Sequence, residues 1–449
     1  MESKPQICLV MKKLILLVFS VITFYTHAQT YYFPPNGSNT WDTVSPAQLG
    51  WCTQRIDSLY RMLADYKTKA FIVLKDGKIV MERYFGTFTA DSSWYWASAG
   101  KTVTALLAGI ARQEGKLNIN DSVSKYLGAG WTNCPPEKER LITVRHQLTM
   151  TTGLNYNVAD LDCKLPACLT YKADAGTQWY YHNAPYLLIQ DVIASASGVT
   201  FQQFTSTRLN QKIGTGGIWF DGVFYSRPRA MARFGSLILN KGRWANDTLL
   251  RDTAYFKQMV NTSQSLNESY GYLWWLNGKS SYMLPGSTFK FTGKLLPNAP
   301  DDLIAALGKN DQKLYVVPSM NLVVVRMGES SDLSPVPVVL DTLIWKELNQ
   351  IICSPSTDVR DVFEDAHVQL YPNPTTEKVY ISGIQAHEIQ FITITDMQGR
   401  VVYNAQKGVT EIDMSDVQGN TTQSVYFMHI STARGVLHRK LVLSKQAGL

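Results

Sequence analysis

Histidine is scarce in this chain: there are 7 among 449 residues, and between residues 29 and 352 only His146 and His182 occur. That scarcity excludes a three-histidine zinc site and makes a Ser-His-Asp triad hard to assemble. No G-x-S-x-G nucleophile elbow is present, and no G-x-x-x-x-G-K-[ST] or G-x-G-x-x-G loop offers a nucleotide site. Lysine and arginine never run beyond two or three residues, so the formal net charge of +7 is spread thinly and no nucleic-acid partner is implied. The apolar stretch Leu14–Tyr25 is too short to span a bilayer comfortably, so no stable membrane span is expected. Internal repeats and low-complexity segments are missing as well.

What is present is a 45% hydrophobic composition, enough for one large core and a small second domain. Met11-Lys12-Lys13, the apolar run and Thr26-His27-Ala28 read as a signal peptide over residues 1–28, with Met11 as a plausible initiator and Gln29 as the first mature residue. Loss of Cys8 with that leader leaves Cys52, Cys134, Cys163, Cys168 and Cys353, an odd number for an oxidising compartment. A local Cys163–Cys168 bridge is the first choice and Cys52–Cys353 a second. The alternative for each cysteine is a buried free thiol.

Residues Ala70–Leu74 and Ile79–Tyr84 flank Asp76-Gly77, a hairpin signal. After Trp94-Tyr95-Trp96 a helix is predicted to begin at or near Ser98, on the spacing of Val103, Leu106, Leu107, Ile110 and Ala111. Helices and loops dominate from about 120 to 260. Strand character returns at Leu303–Leu307, Leu314–Val317 and Leu322–Arg326, and a helix over Val338–Leu348 closes the unit. Strands at both ends with helices between them predict one mixed sheet built from distant segments. Residues 353–366 read as a linker, and residues 367–449 alternate short β-like runs with turn residues, as in a small β-sandwich.

With histidine unavailable, a serine activated by lysine becomes the leading option, because residues three apart on a helix share a face and a desolvated lysine can take the serine proton. S-x-x-K occurs three times, at Ser98–Lys101, Ser122–Lys125 and Ser287–Lys290, and roughly two matches are expected by chance. Ser122 sits among polar residues and Ser287 follows Pro285-Gly286 in a loop; Ser98 alone opens a long apolar helix. A plain N-cap at Ser98 would favour Glu or Gln three residues on, whereas Lys101 places a cation where the helix dipole disfavours it. Tyr181-His182-Asn183 supplies a second element whose tyrosine could relay a proton, although Tyr371-Pro372-Asn373 matches the same Y-x-N pattern and a core aromatic is the simpler reading of Tyr181 alone.

Ser98-Ala99-Gly100-Lys101, Ile142-Thr143-Val144-Arg145-His146-Gln147-Leu148-Thr149-Met150-Thr151-Thr152-Gly153-Leu154 and Tyr181-His182-Asn183 occur in that order, and together resemble the β-lactamase-related serine hydrolases of the class C and penicillin-binding-protein type. The resemblance runs from about 50 to 350 and implies an α/β (α+β) fold, a mainly antiparallel sheet flanked by helices with an α-rich subdomain, occupying residues 29–352. It implies an acyl-enzyme on Ser98, with Lys101 and Tyr181 managing the proton, Asn183 orienting substrate or Lys101, and no cofactor or metal. The oxyanion hole of such enzymes uses the nucleophile's N–H and one near a third motif, often Lys-Thr-Gly. Here that stretch reads Ala306-Leu307-Gly308 followed by Lys309. The family lysine is missing, which lowers the expectation of β-lactamase or peptidoglycan-peptidase activity. Gly308 and Lys309 remain the candidate oxyanion and substrate contacts.

Leu370-Tyr371-Pro372-Asn373-Pro374, Asp396-Met397-Gln398-Gly399-Arg400 and Tyr426-Phe427 resemble the C-terminal sorting domain of type IX secretion substrates of Bacteroidetes, with Ser424 where a glycine is common. That implies a secretion machinery as partner and a secreted or cell-surface protein, periplasmic in transit. A carbohydrate-binding or spacer β-domain is the alternative. The expected activity is cleavage of a small ester, amide or peptide substrate; the competing reading is a weakly catalytic or non-catalytic surface protein that binds cell-wall peptides.

Overall fold

The computed structural model describes residues 31–330, 338–353, 368–396, 401–406, 408–417, 425–432 and 435–444. The expected leader (1–28), residues 354–366 of the expected linker, Met397 to Arg400 and Ser424 lie outside the described residues. Two compact units divide the chain, Met1–Ser354 and Pro355–Leu449.

The first unit is organised by a six-stranded antiparallel sheet, in the order Lys78–Tyr84, Thr68–Lys75, Leu322–Gly328, Gln312–Val317, Ile304–Gly308, Trp275–Leu276. Sheet neighbours thus come from the two ends of the unit, which is the discontinuous sheet the strand pattern predicts. Asp76 and Gly77 both have positive φ, 50° and 84°, as a two-residue hairpin of this twist requires. A Cβ at Gly77 would fall 1.9 Å from the Tyr32 carbonyl oxygen, so glycine is needed there twice over.

Every position of Gln312–Val317 and Leu322–Gly328 is buried. Both faces of these strands are therefore covered, which explains their near-continuous apolar runs. On one face the helix Pro228–Leu239 approaches closely at Gly235, where a Cβ would meet Val323 Cγ1 at 2.5 Å and Leu314 Cδ1 at 2.8 Å. On the other, Lys313 and Tyr315, two residues apart and so on one side of the strand, meet the helix Val339–Ile351. Lys313 Nζ lies 2.6 Å from Asp341 Oδ2, and the Tyr315 hydroxyl donates to Asp341 Oδ1 at 2.6 Å. A disulfide joins Cys52 to Cys353 beyond the end of this helix, a second joins Cys163 to Cys168, and Cys134 is free.

The helix Lys101–Gln113 is buried from Lys101 to Ala111. Sequence periodicity left the middle of the chain to helices and loops, yet a small sheet of Trp94–Tyr95, Val223–Ser226 and Ile218–Phe220 stands beside the start of this helix. Strands of two to four residues are too short to carry an alternation signal. Trp96, Trp179, Trp274 and Trp275 are buried, whereas Trp94, Tyr95 and Tyr180 are partly exposed.

The second unit contains a three-stranded sheet (Gln369–Tyr371, Lys378–Ser382, Glu411–Asp413) and a four-stranded sheet (Val401–Gln406, Ile389–Thr395, Val425–Thr432, Gly435–Val442). One apolar cluster, including Val379, Ile381, Ile392, Ile394, Ile412, Met428 and Ile430, joins the two sheets, the arrangement of a small β-sandwich.

Candidate active site

Ser98 lies in a single 3₁₀ turn, Ala97–Gly100, that runs directly into the helix Lys101–Gln113. The turn is held from both sides: Trp96 N–H donates to the Phe224 carbonyl at 2.8 Å, and its indole N–H donates to Ser226 Oγ at 2.8 Å. Between Trp96 and Ser98, Ala97 takes a left-handed backbone (φ 47°), a conformation that costs an alanine of order 1 kcal/mol or more and persists only where neighbours impose it. Lys101 Nζ donates to Ser98 Oγ at 2.9 Å. Only 4% of the lysine is exposed, and burial lowers its pKa from 10.5 to about 7, with the Asp162 carboxylate opposing that shift. A lysine poised there is neutral for much of the time near pH 7 and can accept a proton.

Tyr181 stands close enough to Ser98 for their hydroxyls to interact, and burial holds the Tyr181 hydroxyl well above the usual phenol range. The Lys101 ammonium position is bracketed by two rings, with Nζ 4.3 Å from the Tyr186 centroid and 5.1 Å from the Tyr181 centroid. Tyr186, one helical turn along Asn183–Ser197, has its own hydroxyl pushed up to about 12 by burial. Behind Tyr181 stand Trp275, stacked at 5.8 Å between centroids, and Tyr270 and Trp179 at 6.2 and 6.4 Å. This packing fixes the phenol rather than leaving it free to rotate. Asn183 begins the helix, and its Oδ1 is buried with no hydrogen-bond partner among the described residues. His182 is buried, has an unpartnered Nδ1, and is lowered by burial to about 4, so its ring is neutral. His146 closes a capping box with Thr143.

The end of the strand Ile304–Gly308 forms the opposite wall. A Cβ on Gly308 would lie 2.4 Å from the Trp96 carbonyl oxygen and 3.0 Å from the Ala99 amide nitrogen. The strand backbone therefore approaches the nucleophile turn as closely as a backbone can. Ala306 is fully buried, and Lys309, just past the strand, is exposed. Asn310 Nδ2 donates to the Tyr95 hydroxyl at 2.7 Å, tying the turn after the strand to the segment before the nucleophile.

Residues 57–223 match the beta-lactamase family model, and residues 369–444 match the secretion system C-terminal sorting domain. Over residues 57–223 the chain is thus similar to a beta-lactamase family domain. Solved structures similar to it are a Bacillus anthracis protein assigned as a 6-aminohexanoate-dimer hydrolase (18% identity, TM-score 0.55, 71% of this chain and 89% of that one) and a Bacteroides dorei protein assigned as a beta-lactamase (17%, 0.53, 68% and 100%). A beta-lactamase/D-alanine carboxypeptidase of Yersinia pestis has 15% identity and a TM-score of 0.51, over 67% and 97% of the two chains. These likenesses establish the β-lactamase/transpeptidase-like fold. An uncharacterized protein of Alkalihalophilus pseudofirmus is 24% identical over 310 residues, 60% of this chain and 85% of its own. The sorting domain marks the chain for export, as a secreted or cell-surface protein. Among the described residues, no helix is long and apolar enough to cross a membrane.

Within the segment that matches the beta-lactamase family model, Lys101 contacts Ser98 and the Tyr181 ring; from outside that segment, Gly308 meets the turn that carries Ser98. The other two S-x-x-K serines do not take part: Ser122 bridges to Thr143, and Ser287 caps a turn at Phe289. Sequence reasoning missed Tyr186, Asn310 and Asp162. The spacing of Tyr186, on the first turn after Asn183, could have flagged it; Asn310 and Asp162 come from segments far from Ser98 in the chain.

Gly308→Ala is expected to cost about 2–4 kcal/mol in stability, since its methyl would collide with backbone rather than a movable side chain. Thermal denaturation of the variant checks this, and a melting temperature equal to that of the wild type would refute the close approach.

Proposed function

We propose that this exported protein is a serine acyl hydrolase that cleaves a small ester or amide through an acyl-enzyme on Ser98. The observation that carries this reading is the 2.9 Å contact between Lys101 Nζ and Ser98 Oγ, made by a lysine whose burial brings its pKa to about 7. Neutral Lys101 takes the proton as Ser98 Oγ attacks the acyl carbon. Tyr181, beside Ser98, relays that proton from Lys101 to the leaving group, so that the lysine returns to the neutral amine and the tyrosine stays protonated. Water, activated by the same pair, releases the acyl group. The backbone N–H of Ser98 and one at the Gly308–Lys309 strand end stabilise the oxyanion, and Asn183 orients the substrate.

Ala306 is buried and uncharged where a carboxylate-binding lysine would stand in a penicillin-recognising site, which favours ester or amide substrates without that carboxylate. Incubation with a fluorophosphonate and with a fluorescent penicillin tests this. The expected result is a phosphonyl adduct on the Ser98 peptide and little or no penicilloyl adduct. Labelling by both would restore peptidoglycan as substrate. Labelling by neither would favour a surface protein that binds cell-wall peptides without turnover.

A further inference from the structure

The loop over Asp160–Cys163 is pinned against the active site at several points. Leu161 O accepts from Ala184 N–H at 2.8 Å, Asp162 N–H donates to Asp160 Oδ1 at 2.9 Å, and Cys163 is bonded to Cys168. Lys164 pairs with Asp191 at 3.0 Å, further along the helix that begins at Asn183. Asp162 is thereby held beside the first turn of that helix, next to Tyr181-His182-Asn183. Its carboxylate is exposed and, among the described residues, has no hydrogen bond or ion pair. Its field nevertheless reaches both Lys101 and His182.

Nearby, Asn183 Oδ1 is an acceptor with no hydrogen-bond partner among the described residues, and the His182 ring is neutral. Of the nearby cations among the described residues, Lys101 is buried against two tyrosine rings, Lys164 is paired with Asp191, and Lys309 stands exposed beyond the opposite strand. A carboxylate with a neighbouring carbonyl acceptor suits a donor with several N–H bonds and a positive charge. It disfavours an anion.

We propose that Asp162 determines substrate specificity by selecting acyl substrates that carry a protonated amine, held by its carboxylate above Tyr181 and Asn183. The proposal rests on the reading that Ser98 is acylated. It predicts an inverted charge preference relative to enzymes that hold a substrate carboxylate beside the third motif.

The test uses the full chain and three isosteric p-nitrophenyl esters with ammonium, neutral and carboxylate acyl termini. Wild-type kcat/KM is expected to be about tenfold higher for the ammonium ester than for the neutral one, with the gap narrowing at high salt. In Asp162→Asn the ammonium-to-neutral ratio of kcat/KM falls to about one; the ratio is the readout, because loss of this carboxylate also lowers the Lys101 pKa and so shifts the rate on every ester alike. Three outcomes overturn the proposal: no charge preference in the wild type, a preference retained in the variant, or an equal loss on all three esters with a shifted pH profile. The last would mean that Asp162 acts only on Lys101. A fluorophosphonate keeps the two readings apart: absence of any Ser98 adduct removes the acyl-enzyme, and the specificity proposal with it, whereas an adduct without charge selection removes the specificity proposal alone.

Discussion

Ser98→Ala is expected to lower kcat/KM for an activated ester by at least about 10⁴-fold and to abolish the fluorophosphonate adduct, while leaving the melting temperature close to that of the wild type. The loss is large because Lys101 and Tyr181 both converge on this one oxygen, so without it neither has a proton to move. Folding is expected to survive, since Ser98 is partly exposed and the turn is fixed by Trp96, whose amide and indole bonds the substitution does not touch. Full activity in the variant would falsify the assignment of the nucleophile. Activity residing in a contaminating esterase would be exposed by an unlabelled Ser98 peptide in the wild type.

For Lys101 the expectation concerns both rate and pH. Lys101→Met should reduce kcat by about 10³–10⁴-fold through loss of the proton acceptor. In the wild type the working form is the neutral amine, so kcat/KM should rise about tenfold per pH unit below about 7 and level off above it. The groups facing Nζ are Ser98, Tyr181, Tyr186 and, through space, Asp162; the tyrosine hydroxyls are held high by burial and stay protonated across this range.

Stability should carry the opposite face of the same burial. The folded lysine has a pKa of about 7 against 10.5 for an ordinary one, so between those values the unfolded chain binds the extra proton. Unfolding free energy should therefore rise with pH across that window, the burial penalty being complete below about 7 and fading toward 10.5. Lys101→Met should remove that slope. Chemical denaturation at pH 7 and 9.5 measures it, and parallel behaviour of the two proteins would show that Lys101 titrates normally in the fold.

The local part of this site was legible in the residues themselves. Spacing alone puts Lys101 one turn from Ser98, and the long apolar helix that only Ser98 opens distinguishes this pair from Ser122–Lys125 and Ser287–Lys290. The hairpin at Asp76-Gly77 and the strands near 304–326 were equally readable, since their signals lie within a few residues of one another. The short strands beside Trp94 were not, for the same reason in reverse.

Chemistry, by contrast, was decided in three dimensions. A lysine at helical spacing has an ordinary pKa until the aromatic rings of Tyr181 and Tyr186 and the surrounding core remove water from it. Tyr181-His182-Asn183 and Tyr371-Pro372-Asn373 are the same pattern, and what separates them is that Tyr181 reaches Ser98 while Tyr371 lies half exposed in the second unit. The need for glycine at 308 and the placement of Asp162 arise from chain segments far apart in sequence, brought together by the discontinuous sheet and a pinned loop. The sequence by itself determined which serine and which lysine stand together, because one helical turn is a local geometry. Only the tertiary structure decided the lysine's protonation and the company it keeps, because burial and electrostatic field belong to the whole packed chain.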